Sequence, residues 1–188
     1  MREEPEQRAS EASSILFEEA SVERIEAQDA EALLLPIFRE ERPPRGLLGA
    51  VDWRFGGRIS RLIKEGLISP ERGALSLLPA RRRLPSIDKL LIAGMGSAEE
   101  FGAEELGAIL VALAARIKPL SIRSLGIALP GRSLGLVAPA AAFEGLLQSA
   151  SSPLALDLIV FDEREAVREM ESILATAKRR DRAHYFEG

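Results

Sequence analysis

The chain has no cysteine and a single histidine, His184. Zinc, iron and copper sites draw on those two residue types, so none of the usual ones can be assembled within one chain. A disulfide framework and a thiol nucleophile are excluded for the same reason. Oxygen-ligated Mg²⁺ or Ca²⁺ is the metal chemistry left open. Asn is missing altogether, Thr occurs once, at Thr176, and aromatic residues make up 5% of the chain. No apolar run approaches the roughly 20 residues needed to cross a bilayer, so no membrane partner is expected. The net charge of −4 and the pI near 5.3 give no general attraction for a polyphosphate backbone, and nucleic acid is not an expected partner. Positive charge is carried almost wholly by Arg, 21 residues against 4 Lys. The start, MREEPEQRASEASS, is acidic and polar where a signal peptide needs a basic start and an apolar core, so a cytoplasmic location is expected.

What is present is enough for one domain. A chain of 188 residues, 46% hydrophobic, can build a full core. Residues 1–12 lack apolar periodicity and are expected to be a disordered polar tail, with the domain over 13–180 and a polar C-terminal tail over 181–188. Apolar runs of strand length fall at Ser14–Phe17, Ala32–Ile37, Ala74–Leu78, Lys89–Ala93, Ile122–Leu129 and Ala155–Phe161. Several are apolar almost throughout, as strands covered on both faces are.

Helical patterns lie between them. Leu106, Ile109, Leu110, Leu113 and Ile117 make one apolar stripe, which Pro119 stops. Leu48, Val51, Phe55, Ile59 and Leu62 make a second, interrupted by Gly56 and Gly57, which implies either close packing or a break. A third, Val167, Met170, Leu174 and Ala177, follows the acidic start Asp162-Glu163-Arg164-Glu165. Strands alternating with helices imply a mostly parallel sheet between helical layers. From Leu75 to Ala93, Pro79, Arg81–Arg83 and Pro85 separate two strands with no space for a helix, so that pair is expected to be antiparallel and the sheet mixed. The Arg triplet reads as a solvated loop.

Several pieces in this order resemble the N-terminal domain of the leucyl (cytosol) aminopeptidases, over roughly Ser14 to Lys178. They are the apolar strand and charged loop of LLLPIFREERPPRGLLG, the paired glycine Gly56-Gly57, and a strand ending in Leu78-Pro79. Gly94-Met95-Gly96 follows, before an acidic helix start, and then Ala128-Leu129-Pro130-Gly131. The resemblance implies a three-layer α/β domain with a mixed, mostly parallel sheet of about six strands, similar in fold to the macro domains that bind ADP-ribose. It also implies what is missing. The family's catalytic site lies in a separate C-terminal domain for which 188 residues leave no room. Its signature, Asn-Thr-Asp-(x)-Glu-Gly-Arg with further ligands for two divalent metals, needs an Asn that this chain lacks. Macro domains likewise use an Asn in the first ligand loop, where Pro36, Phe38 and Glu40 stand here. The reading is a catalytically inactive relative with a binding, assembly or regulatory role and no cofactor. Its expected partners are further copies of itself or a separate peptidase-like subunit. The alternative is a module binding a nucleotide, an ADP-ribose-like molecule or another phosphorylated small molecule between the loops Arg39–Gly49 and Leu129–Gly135.

The residues that would serve that alternative are Arg45, Gly46, Gly131, Arg132, Ser133 and Gly135. Exposed N–H groups in a glycine-rich turn before a helix favour an anion, Ser133 adds a donor, and Arg132 or Arg45 supplies mobile countercharge. The other reading of the same glycines is a tight strand-to-helix turn. Gly94-Met95-Gly96 lacks the third glycine of a dinucleotide fingerprint and reads as a turn. Ser133 has no histidine partner except His184, which disfavours a nucleophilic triad. Asp157, Asp162 and Glu163 can be written as a Mg²⁺ site or, for the latter two, as the cap of the last helix. Phe38 or Trp53 would stack on a nucleotide if either reached the cleft. Trp53 falls about 140° round a regular helix from Leu48, so it either packs on another element or marks a partner surface.

Overall fold

The computed structural model describes residues 14–149 and 156–186, with no account of the side chains of 149 and 180–186. The expected disordered tail, residues 1–12, lies outside them. Six strands form one sheet: β1 (Ile15–Glu19), β2 (Ala30–Phe38), β3 (Leu75–Pro79), β4 (Ile87–Gly96), β5 (Ser124–Ala128) and β6 (Asp157–Asp162). The order across it is β1-β6-β5-β2-β4-β3, and every pairing is parallel except that of β3 with β4. Each expected strand is there, and the sheet is mixed because the loop after β3 is too short for a crossover helix.

Side-chain alternation divides the core in two. Ala32, Leu34 and Phe38 of β2 with Leu91, Ala93 and Met95 of β4 point to one face, where α4 (Ala103–Ile117), α5 (Pro139–Ser149) and α6 (Arg164–Phe186) cover them. Leu33, Leu35 and Ile37 with Leu90 and Ile92 point to the other, under α1 (Val22–Ala27), α2 (Gly46–Arg54) and α3 (Arg58–Lys64). Burial on both faces is why β2 and β4 read as continuous apolar runs. The backbone of α6 stays helical to Phe186, past residue 180 where the domain was expected to end.

Two glycine features resolve in specific ways. The stripe from Leu48 to Leu62 is two helices, because Gly56 and Gly57 take φ of 66° and 72°. No heavy atom lies within 4 Å of a Cβ built at either, so the pair serves a break and not close packing. Asp52 restores order across the break: its buried carboxylate accepts the N–H groups of Ile59 at 2.8 Å and Ser60 at 3.1 Å, capping α3. Gly94, expected in a turn, instead lies inside β4 with backbone packed against it. A Cβ there would stand 2.2 Å from the Glu71 carbonyl oxygen.

Candidate functional site

Beyond Leu34 and Ile127 the paired strands β2 and β5 part. Their divergence opens a crevice at the carboxyl ends of the parallel strands, the usual place for a ligand in an open α/β sheet. Pro36, Ala128, Leu129 and Phe161 form its apolar base, and Arg45, Gly46, Arg132, Ser133 and Asp162 lie around it. The structure thus gathers Arg45, Gly46, Arg132 and Ser133 at one place, with Gly131 and Gly135 shaping the turn above at φ of 81° and 67°. The Cβ of Ser133 sits where a side chain on Gly46 would begin, 2.9 Å from an ideal Cβ, so the two loops touch.

The crevice is filled largely by the chain itself. Arg132 is anchored: its Nε donates to Asp162 Oδ2 at 2.7 Å, Nη2 to Oδ1 at 3.2 Å, and Nη1 to the Val137 carbonyl at 2.7 Å. Its side chain is 14% exposed and that of Asp162 5%. The expectation of a mobile countercharge is therefore corrected for Arg132, whose fork is already used by a carboxylate of matching geometry. Asp162 also accepts the N–H of Glu163 at 2.8 Å, so it binds the loop after β5 to the start of α6.

Glu41 is not part of the crevice lining but is held against it through Ser133. The register of β2 on β4 shifts between Ile37 and Phe38, and the Phe38 N–H donates to Glu41 Oε2 at 2.9 Å. Ser133 Oγ lies 3.4 Å from Glu41 Oε1 and donates to it. Burial pushes the Glu41 carboxyl above its ordinary value, against the lowering effect of those hydrogen bonds and of Arg45. About 100 Å³ of crevice remains. In the turn, the N–H groups of Arg132, Gly135 and Leu136 are bonded to the carbonyls of Leu129, Arg132 and Gly131. Those of Ser133 and Leu134 have no hydrogen-bond partner among the described residues.

Other candidates separate. Asp157 holds Ser14 through its N–H and hydroxyl at 3.0 and 2.6 Å, at the opposite end of β6 from Asp162. A strand's length of about 16 Å between them rules out one Mg²⁺ site. Phe38 is fully buried, edge-on to Phe101 at 5.0 Å, and Trp53 is 84% exposed; neither lines the crevice. Trp53 therefore does not pack on another element. The Arg81–Arg83 loop is exposed, with Arg81 paired to Asp88. His184 lies where side chains are not described. Sequence reasoning missed Glu41, and it missed Asp162 as the partner of Arg132, because nothing local marks either contact. No helix among the described residues is long and apolar enough to cross a membrane.

Comparison with known proteins agrees with the fold. The probable cytosol aminopeptidase of Gloeothece citriformis is 32% identical over 100 residues, which are 53% of this chain and 20% of that protein. The chain thus corresponds to about a fifth of the length of such relatives. A mutant of tomato leucine aminopeptidase superposes with a TM-score of 0.56 at 19% identity, covering 87% of this chain and 36% of that one. The macrodomain of Mycobacterium tuberculosis DarG superposes with a TM-score of 0.62 at 15% identity, over 80% of this chain and 99% of that one. At these identities the structures establish a shared fold. The family described as the cytosol aminopeptidase family, N-terminal domain, matches residues 34–152, well over half of the sequence, and the chain belongs to that family.

Proposed function

We propose that this domain is a binding and assembly module of the aminopeptidase type, acting through its surface and not through hydrolysis or a nucleotide in the crevice. The observation that supports it is the filled crevice. With Arg132 and Asp162 paired in its wall, the crevice keeps about 100 Å³, against the roughly 300 Å³ at which small-molecule pockets begin. A nucleotide would have to break the buried Arg132–Asp162 ion pair before gaining a contact. The chemistry of the sequence points the same way, since a chain without Asn cannot carry the family's two-metal signature. Its partners are further copies of the chain or a peptidase-like subunit, in the cytoplasm.

One observation favours a second reading. The unpartnered N–H groups of Ser133 and Leu134 beside Arg45 suit a single small anion, such as inorganic phosphate, held weakly at the mouth. The direct test of the leading reading is an assay on leucyl substrates with added Mn²⁺ or Zn²⁺. No turnover above background is expected. Turnover that scales with protein, vanishes with a chelator and survives further purification would overturn it.

A further inference from the structure

Helix α4 carries an outer face unlike that of an ordinary surface helix. From Leu106 to Ala115 it has no charged residue, although Ala108, Val111, Ala112 and Ala115 are exposed and only Leu106, Leu110, Leu113 and Ala114 of that stretch are buried. A helix covering a core normally turns a charged or polar face to water. Beside this face runs an apolar groove of about 420 Å³, with Met95 and Gly94 of β4 on one side and Ile109 and Ala112 on the other.

The two ends of the face carry opposite charges. Glu104 stands in the first turn of α4 and Arg116 in the last, both exposed, and neither side chain has an ion pair or hydrogen bond among the described residues. The neighbouring Glu105 is already paired with Arg72 at 3.0 Å. Glu104, Ala108, Ala112 and Arg116 follow one another at intervals of four, so they form a single ridge about 18 Å long, charged at its ends and small in its middle.

Such a ridge complements itself. We propose, building on the assembly role proposed above, that two copies of this chain pair through α4 about a two-fold axis, the helices running antiparallel. An axis level with Leu110 sets Glu104 beside Arg116 of the second copy and Ala108 beside its Ala112. The symmetry then repeats both contacts, as an isologous interface requires. The alanines let the backbones approach to the 8–10 Å of interdigitated ridges, and the partner helix covers the groove.

Sedimentation of the whole chain from about 1 to 500 µM tests this. A reversible equilibrium between 20.5 kDa and twice that mass is expected. Glu104→Arg and Arg116→Glu each turn two attractions into two repulsions and should raise the dissociation constant about tenfold, while the double exchange returns it to within about threefold of the parent. Ala112→Glu should leave a monomer with an unchanged circular dichroism spectrum; were that variant to misfold, the charge exchange alone decides. Self-association that ignores all these variants overturns the α4 interface but leaves the assembly role standing. A monomer at every concentration overturns the interface, and the assembly role then fails as well if no partner subunit co-purifies. A double exchange no tighter than the single ones contradicts the antiparallel geometry.

Discussion

Arg132 and Asp162 face each other as a two-bonded pair, 2.7 and 3.2 Å apart, at 14% and 5% side-chain exposure. The pair fastens the turn after β5 to the end of β6, and through the Ala20 N–H on the Asp162 carbonyl, to β1 as well. It is the reason a turn that reads as an anion loop has its arginine already engaged. Removing either partner leaves the other charged and buried, which costs about 3–5 kcal/mol. Arg132→Ala and Asp162→Ala should each lower urea stability by that order, and the double variant by clearly less than their sum. Additive losses would mean that the two side chains act separately. Lysine at 132 should not rescue, since it cannot make the fork.

Asp52 is the joint between α2 and α3. It accepts two backbone N–H groups and the Ser60 hydroxyl across the glycine break. Asp52→Ala should cost roughly 2 kcal/mol, with Asn recovering part of it. A loss below about 0.5 kcal/mol would show that the helices hold their angle without the cap.

Gly94 is required by close backbone approach. An added Cβ would meet the Glu71 carbonyl oxygen at 2.2 Å and the Pro70 carbonyl carbon at 2.7 Å, and neither is the end of a flexible side chain. Gly94→Ala should destabilise by about 1–3 kcal/mol, measured by urea unfolding. A neutral result would require the segment before β3 to be displaced freely.

Glu41 should leave a trace in the pH dependence of stability. Burial raises its carboxyl above the ordinary 4.5. A carboxyl whose folded value is raised holds its proton better in the folded state, so stability falls as pH rises from the ordinary value through the raised one. Glu41→Gln removes that titration while keeping a hydrogen-bonding amide in place. The urea midpoint of the parent relative to that of the variant should fall from about pH 4 to 8, because the lowered carboxyls such as Glu31 and Asp157 are common to both. Parallel curves would show that Glu41 is not held as described.

The strands were legible because burial on both faces leaves runs such as Leu33–Ile37 and Lys89–Ala93 almost purely apolar, and because Pro79 and Pro85 bar a helix between β3 and β4. The break at Gly56-Gly57 was legible only as one of two alternatives, since a periodic stripe continues across it. The crevice was placed by its loops but not by its filling. Glu41 with Ser133 and Arg132 with Asp162 are contacts between residues far apart in sequence, and a charged residue in a loop carries no local sign that it turns inward. Gly94 misled for a related reason: a glycine needed by a neighbouring backbone looks the same in sequence as one needed by a turn.

If the buried Arg132–Asp162 pair closes the crevice as proposed, a nucleotide finds no room in it. Amide shifts followed while ADP-ribose or ATP is added to about 1 mM address it directly. No saturable change is expected at Gly131 to Gly135 or at Glu41. Saturable shifts confined to that loop and to Glu41, with the Arg132–Asp162 pair opening to admit the ligand, would contradict it.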